Sequence, residues 1–289
     1  MIRVHNRLPL FLDCMRRWER APNARVFRME YADPMRDVAG DFFEDFAEWV
    51  ADLPWAEYRR KSLQIDPEKE ESRLRSAVRK VEELLRVPLE GDAILLSTFE
   101  SMDGYARFEG GTHRVYLGVD ENHLEGRYLD VLMTHELTHV AREPRPEVWK
   151  GWGLSLPRSN REFCDTQPVL EHVFSEGLSC AISEALVPGE DPWLYVYQDR
   201  ESYQRVLDLG PSIDERIHAE IRASEGDYGS LYDLSTYSPK PPALAHYVWA
   251  WQWVRELIRE KGADPASLVS ICSKDLLESA LDFRLTVRP

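Results

Sequence analysis

The sequence predicts an α+β protein in which a small antiparallel sheet lies between two largely helical regions. Apolar residues recur at three- and four-residue spacing before residue 90 and again after residue 128, which is typical of amphipathic helices. Between these regions, short β-type runs flank a Glu-Gly-Gly-Thr turn at residues 109–112, which favours a hairpin. With 43% hydrophobic residues in 289, the chain is long enough to bury a core.

The first ninety residues are predicted to be helical and to support the rest of the chain. One helix is expected over residues 41–53, where aromatic and aliphatic side chains share a face and Asp-Leu-Pro ends the pattern. Another is expected over residues 66–87, because Pro67 suits a first helical turn and the acidic residues after it favour the positive end of the helix dipole. We expect an N-terminal helical region at 1–90 and a second domain at 91–289.

The second region is predicted to begin with the sheet and to continue as helices. The three strands are expected over residues 93–99, 104–108 and 113–119. The sequence then predicts helices over residues 128–142, 168–187, 195–209, 242–261 and 265–281. Residues 142–161, which are rich in proline and glycine, form the longest irregular segment and are expected to border a functional site.

Charge and cysteine usage exclude several classes of partner. The chain carries 36 Lys and Arg against 51 Asp and Glu, a net charge of −15, so a nucleic-acid partner is not expected. No apolar stretch approaches the length of a membrane span, and Pro9 and Asp13 interrupt the only signal-like run. The four cysteines form no C-x-x-C pair, which favours reduced thiols and a cytoplasmic location.

The most informative segment is an H-E-x-x-H pattern at residues 135–139, inside a strongly helical window. His135 and His139 lie one turn apart on the same helix face, so both imidazoles can bind one Zn²⁺. Glu136 need not bind the metal, and it is placed to accept a proton from water and later to donate it as general base and acid. The pattern therefore predicts one zinc ion per chain.

A catalytic zinc normally has a third protein ligand and one open position. The metzincin pattern fails, because Arg142 and Arg145 occupy the positions where glycine and the third histidine are required. We predict Glu176 as the third ligand, since it borders a buried helical stripe beside Gly177 and needs a compensating charge. The rival ligands, in falling order, are His172, Glu171, Asp165 and Cys164.

These residues resemble a known family. His135-Glu-Leu-Thr-His139 followed by Ser175-Glu-Gly-Leu178 is similar to the bacterial predicted zinc-dependent proteases of the gluzincin type, which are distantly thermolysin-like. The resemblance covers about residues 93–280 and implies a metallopeptidase-like fold in which the two histidines and the glutamate bind zinc. It departs at Ser179, where alanine is common in the family.

The resemblance also implies roles for other segments. The last strand before the zinc helix is expected to hold extended substrate, which here points to residues 116–119. Thermolysin-like enzymes stabilise the oxyanion with a His or Tyr from a later segment, and we prefer Tyr247 over His246. A ligating histidine needs an orienting partner, for which Glu184 and Glu171 are candidates.

The expected activity is zinc-dependent hydrolysis of a peptide bond. Cleavage of an amide in a small molecule, as in an amidase or deacylase, would use the same residues. A binding or scaffold protein with a structural zinc is a second hypothesis, and a fourth ligand such as His172 or Cys180 would favour it. Glu136 argues against that hypothesis, because a structural site has no use for a base. A redox protein with iron or manganese is a third.

Overall fold

The fold is α+β. The described residues form one four-stranded sheet and a set of packed helices. A computed structural model describes residues 1–40, 42–43, 46–109, 111–120, 126–223, 228–232 and 240–286. In this part of the chain, no helix is both long enough and apolar enough to cross a bilayer.

The sheet is mixed, so the prediction of an antiparallel sheet was wrong. Its strands are β1 (Ile2–Asn6), β2 (Gly91–Leu96), β3 (Gly104–Glu109) and β4 (Thr112–Gly118), in the spatial order β1-β2-β4-β3. Strands β1 and β4 each pair with β2 in parallel, and only the β3–β4 hairpin is antiparallel. Turn residues predict a hairpin, but parallel pairing joins distant segments and leaves no local signal.

Strand β1 was not predicted, and polar contacts hold it at one edge of the sheet. Asp92 of β2 accepts hydrogen bonds from Arg3 Nε at 2.7 Å and pairs with His5 Nε2 at 2.9 Å. Burial raises the pKa of the Asp92 carboxyl, but His5 and Arg3 outweigh it and the pKa is lowered. The sheet therefore joins a strand of the N-terminal region to strands of the following region.

The N-terminal region is otherwise helical, as predicted. Its helices are α1 (Leu8–Arg17), α2 (Ala24–Phe27), α3 (Asp33–Ala39), α4 (Phe46–Asp52), α5 (Trp55–Ser62) and α6 (Pro67–Leu85), with a π-helical segment at Arg28–Ala32. The helix expected over 41–53 is described only as α4, and residues 41, 44 and 45 lie outside the described part. Asp66 caps α6 by accepting from the backbone N–H groups of Glu68 and Lys69.

The later helices follow the predicted order with five differences. They are α7 (Tyr128–Arg142), α8 (Pro146–Lys150), α9 (Asn160–Thr166), α10 (Val169–Leu186), α11 (Arg200–Asp208), α12 (Gly210–Ala223), α13 (Ala245–Arg259), α14 (Pro265–Leu268) and α15 (Leu277–Asp282). Helices α8, α9 and α12 were not predicted, and α8 lies within residues 142–161, which were expected to be irregular. The helix expected over 195–209 is a 3₁₀ turn at Leu194–Val196 followed by α11, and the one expected over 265–281 is broken into α14, a 3₁₀ turn and α15.

Helix α10 is packed between α7 and α13 in the centre of the core. A Cβ on Gly177 of α10 would collide with the carbonyl oxygen of Ala250 on α13, so only glycine permits this close approach. On its other side α10 faces α7, which in turn packs against β3 and β4. This stacking places the H-E-x-x-H segment between the sheet and α10.

Candidate metal centre

Helix α7 presents the H-E-x-x-H residues on a buried face. His135, Glu136 and His139 are at most 7% exposed, and the aliphatic residues around them belong to the main core. The helical pitch brings both imidazoles to one side, with their Nε2 atoms 3.1 Å apart.

Helix α10 supplies the carboxylate that completes the group. Glu176 Oε2 lies 3.2 Å from His135 Nε2 and 3.4 Å from His139 Nε2. Ligand atoms of the three residues all lie within 4.8 Å of one another, so the group could hold a metal ion. Among the described residues, this is the one group of three or more such side chains that meets this distance.

The chemistry of these three side chains fits a cation. If His139 donates its Nδ1–H to a neighbouring carboxylate, its Nε2 carries a bare lone pair that faces His135 Nε2 and Glu176 Oε2. Three acceptors around one point repel one another unless a positive charge lies between them. Without metal a proton fills this role: burial lowers the pKa of His139, but Glu176 and Glu143 raise it well above the usual value.

His139 is oriented by a carboxylate that the sequence analysis missed. Glu143 Oε1 lies 2.8 Å from His139 Nδ1, and Glu143 Oε2 lies 2.7 Å from Nε2 of His113 on β4. The hydroxyl of Ser175 is 3.0 Å from the same Nδ1. Burial raises the pKa of Glu143, but the two histidines outweigh it and lower the pKa to about 2. A His–carboxylate–His chain thus links the candidate ligand to the sheet.

The orienting partners that we predicted, Glu184 and Glu171, are engaged elsewhere. Glu184 accepts from Trp251 Nε1 at 3.1 Å and pairs with Arg255 at 3.0 Å. Glu171 forms two hydrogen bonds to the guanidinium of Arg142. These arginines lie on neighbouring helices, and a fixed positive charge is a stronger partner for a carboxylate than a neutral imidazole.

The second ring nitrogen of His135 has a weaker partner. Cys180 Sγ lies 3.8 Å from His135 Nδ1, and burial raises the pKa of that thiol well above its usual value. The rings of Tyr197 and Tyr247 also contact His135, the first edge-on at 5.0 Å and the second in parallel at 6.1 Å. His135 is therefore held mainly by ring contacts.

Glu136 lies beside the metal group and against the first residue of β3. A Cβ on Gly104 would approach Glu136 Oε1 to 2.7 Å, so a larger residue at 104 would displace the carboxyl. Burial raises the pKa of Glu136 to about 8. Glu136 is thus a buried carboxyl that lies between the metal group and the start of β3.

These groups line a cavity of about 190 Å³. Its walls come from β3, α7, α9, α10, α13 and the segment 228–232. The lining residues are Gly104, Tyr105, Ala106, His135, Glu136, His139, Glu143, Phe163, Gln167, His172, Glu176, Tyr232 and Tyr247. Of residues 142–161, expected at the rim, Glu143 lines the cavity. Val148 and Trp149 of this segment form a small apolar cluster with Phe108 and Phe163.

The two predicted oxyanion residues occupy different positions. Tyr247 lines the cavity, and burial raises its pKa well above the usual value, so its hydroxyl keeps its proton. His246 is 3% exposed and is absent from the cavity wall; its ring packs against Tyr232 at 4.7 Å and His172 at 5.6 Å. The arrangement offers Tyr247, rather than His246, to a group bound in the cavity.

The rival ligands lie outside the metal group. His172 Nδ1 is 3.9 Å from Glu176 Oε1, and its Nε2 pairs with the hydroxyl of Tyr232 at 3.2 Å. The side chain of Asp165 is 64% exposed and pairs with Arg161. Cys164 belongs to the margin of the small apolar cluster. Cys180, named as a ligand of a closed site, meets Nδ1 of His135 and not the Nε2 that faces Glu176.

The strand expected to hold substrate has neighbours on both sides. Residues 116–119 include the end of β4, which is paired with β2 on one side and β3 on the other. Strand β3 is at the edge of the sheet, and two of its residues line the cavity. The hairpin alone does not reveal which of its two strands is outermost. That depends on which of them pairs with β2, and the partner is β4.

Some of the site residues that were missed carry a local signal. Glu143 lies four residues after His139, so the same helical spacing that pairs the histidines predicts this contact. His113, Tyr197 and Tyr232 carry no such signal, since only the fold brings them to α7 and α10.

Comparisons with known proteins find no match to this chain. No family model matches the chain, and neither a curated protein nor a solved structure matches it. The structure shows a buried group of His135, His139 and Glu176 that could hold a metal ion, within an α+β fold.

Proposed function

We propose that this protein is a zinc-dependent hydrolase that cleaves a peptide bond. One observation carries the proposal: the three ligand atoms of His135, His139 and Glu176 converge beside the carboxyl of Glu136, and all four residues line the same cavity. Three protein ligands beside a base are the arrangement of catalytic zinc sites, whereas structural sites have four ligands.

When bound, zinc would polarise the substrate carbonyl and lower the pKa of water towards neutrality. Glu136 would hold the attacking water by a hydrogen bond, accept its proton and deliver that proton to the leaving amine. Tyr247, whose hydroxyl keeps its proton, would donate a hydrogen bond to the oxyanion. Glu143 and Ser175 would keep His139 in the tautomer that presents Nε2 to the metal.

A peptide substrate is supported by the position of β3 as the outermost strand of the described sheet. The carbonyl of Asp103 accepts from the N–H of Gly118, so the alternation of antiparallel pairs turns the backbone groups of Gly104 and Ala106 away from β4. Both residues line the cavity. An extended peptide could add to this edge as a further strand, with its scissile bond beside Glu136.

Hydrolysis of an amide in a small molecule is a second candidate. The cavity volume of about 190 Å³ favours it, because sites for larger ligands usually exceed about 300 Å³. The two candidates differ in their use of the β3 edge: a peptide requires it and a small amide does not. Screening a peptide library and a panel of acylated amines side by side separates them.

The proposal is tested first by elemental mass spectrometry on wild type, Glu176→Ala and Glu147→Gln. We expect about one zinc per chain in wild type and in Glu147→Gln, whose exposed carboxylate lies outside the group, and far less in Glu176→Ala. No zinc in wild type, with none taken up on titration, would overturn the proposal.

The catalytic role is tested separately with Glu136→Gln. We expect this variant to keep its zinc and its fold but to lose about 10²- to 10⁴-fold in turnover, because proton transfer is lost while the ligands remain. A variant that cleaves peptides as fast as wild type would show that Glu136 is not the base.

A further inference from the structure

Gln167 has a buried side-chain amide whose oxygen is unpaired in the described part of the chain. The residue follows α9, is 2% exposed and lines the cavity. Its side-chain oxygen finds no hydrogen-bond partner among the residues that the structure describes. A buried polar group that stays unpaired lowers the free energy of unfolding, so such a group needs an explanation.

The surroundings of Gln167 have the character of a built subsite. Phe163, one turn earlier on α9, lines the same cavity and is fixed by ring contacts to Phe108 at 5.5 Å and Trp149 at 5.7 Å. Tyr105 of β3 accepts a hydrogen bond from Asn160 Nδ2 at 2.8 Å, which ties the edge strand to α9. Two aromatic rings that are held in place therefore line the same cavity as the unpaired amide oxygen.

The position of Gln167 suits contact with a part of the substrate that lies away from the scissile bond. It precedes α10, and Val169 to Glu176 span roughly 10 Å of that helix. An extended peptide covers this length with roughly three residues. Gln167 is thus separated from Glu176 by about this length along the helix axis, and both residues line the same cavity.

We propose that Gln167, together with Phe163 and Tyr105, forms a specificity subsite that binds an amide group of the substrate two or three residues from the scissile bond. This inference rests on the proposed hydrolase function. A carboxamide both donates and accepts, and another amide is the group that satisfies both at once. That amide is either the side chain of Asn or Gln or a peptide unit of the substrate main chain.

Stability gives the first test and needs no substrate. Gln167→Leu removes the unpaired amide and keeps the approximate volume, so its melting temperature should equal or exceed that of wild type. Gln167→Met provides a second variant of similar size, and Gln204→Leu, on an exposed part of α11, is the control for a surface change. Marked destabilisation of both Gln167 variants, with Gln204→Leu unchanged, would assign Gln167 a structural role and overturn the inference.

Cleavage of a fluorogenic peptide library gives the second test. If the substrate side chain supplies the amide, wild type prefers Asn or Gln at one position and Gln167→Leu loses that preference by about 10- to 100-fold in kcat/KM, mainly through KM. If the main chain supplies it, N-methylation at that position lowers kcat/KM in wild type but not in Gln167→Leu. Identical profiles in both series would overturn the inference. A library that wild type leaves intact, with zinc present, would instead count against the proposed peptidase.

Discussion

Two buried charge clusters lie on the same pair of helices, α7 and α10, and they are neutralised in different ways. In the first, Arg142 of α7 holds Glu171 of α10 through two hydrogen bonds of 2.9 and 2.7 Å, with both side chains at most 1% exposed. In the second, His135 and His139 face Glu176 across the same interface, but no arginine or lysine lines their cavity among the described residues.

The difference shows how one helix pair separates structure from chemistry. The Arg142 guanidinium also donates to the carbonyls of Leu268 and Val269 and lies 4.5 Å from the ring of Phe174, so this cluster carries its own cation and is closed. The other cluster faces a cavity and has room for a cation from outside. A buried carboxylate needs a positive partner in both clusters. Whether that partner is a side chain of the protein or a cation from outside decides the role of the cluster.

The largest effect is expected from Arg142→Met. This change leaves Glu171 buried without its cation and should lower the free energy of unfolding by about 3 to 5 kcal/mol. Urea denaturation measures the loss, and zinc affinity of the folded variant should stay within a few-fold of wild type. A double variant, Arg142→Met with Glu171→Met, should recover much of the stability, because a matched apolar pair replaces the ion pair. A single variant as stable as wild type would break the comparison.

A smaller effect is expected from Glu143→Gln, which tests the open cluster. The variant keeps the shape of the side chain but removes the charge that orients His139, so zinc should bind about 10- to 100-fold more weakly. Competition with a chromogenic chelator measures the affinity. Glu171→Gln is the matched control, since it also removes a buried carboxylate from this region and should lower stability without this change in zinc affinity. Equal zinc affinity in wild type and Glu143→Gln would contradict the orienting role.

The smallest effect is expected from Cys180→Ala, which compares the two ligand histidines. The thiol is 3.8 Å from His135 Nδ1 and is a weak hydrogen-bond partner, so zinc affinity should change by less than about tenfold. Cys14→Ala removes a buried thiol far from the site and controls for the loss of volume. A loss as large as that of Glu143→Gln would mean that the thiol orients His135 as firmly as a carboxylate orients His139.

Much of the fold could be predicted where the signal is local. Helices α6, α7, α10 and α13 lie within a few residues of their predicted bounds, because helical periodicity and proline boundaries are properties of short segments. Strand β1 and the parallel pairing of the sheet were missed, since β1 pairs with residues 89 positions away and β2 pairs with residues 22 positions away. The same limit explains why His113 and Tyr197 were absent from the predicted site.

The sequence by itself determined the spacing of His135, Glu136 and His139, because an α-helix returns to the same face every four residues. Only the tertiary structure decided which carboxylate meets them. Glu171 and Glu176 lie on the same helix, and both are buried. The rotation of α10 against α7, fixed by packing that includes the close approach of Gly177 to α13, turns Glu176 to the histidines and Glu171 to Arg142. That rotation depends on three helices at once, so the buried stripe of α10 favoured Glu176 but left His172 and Glu171 as rivals.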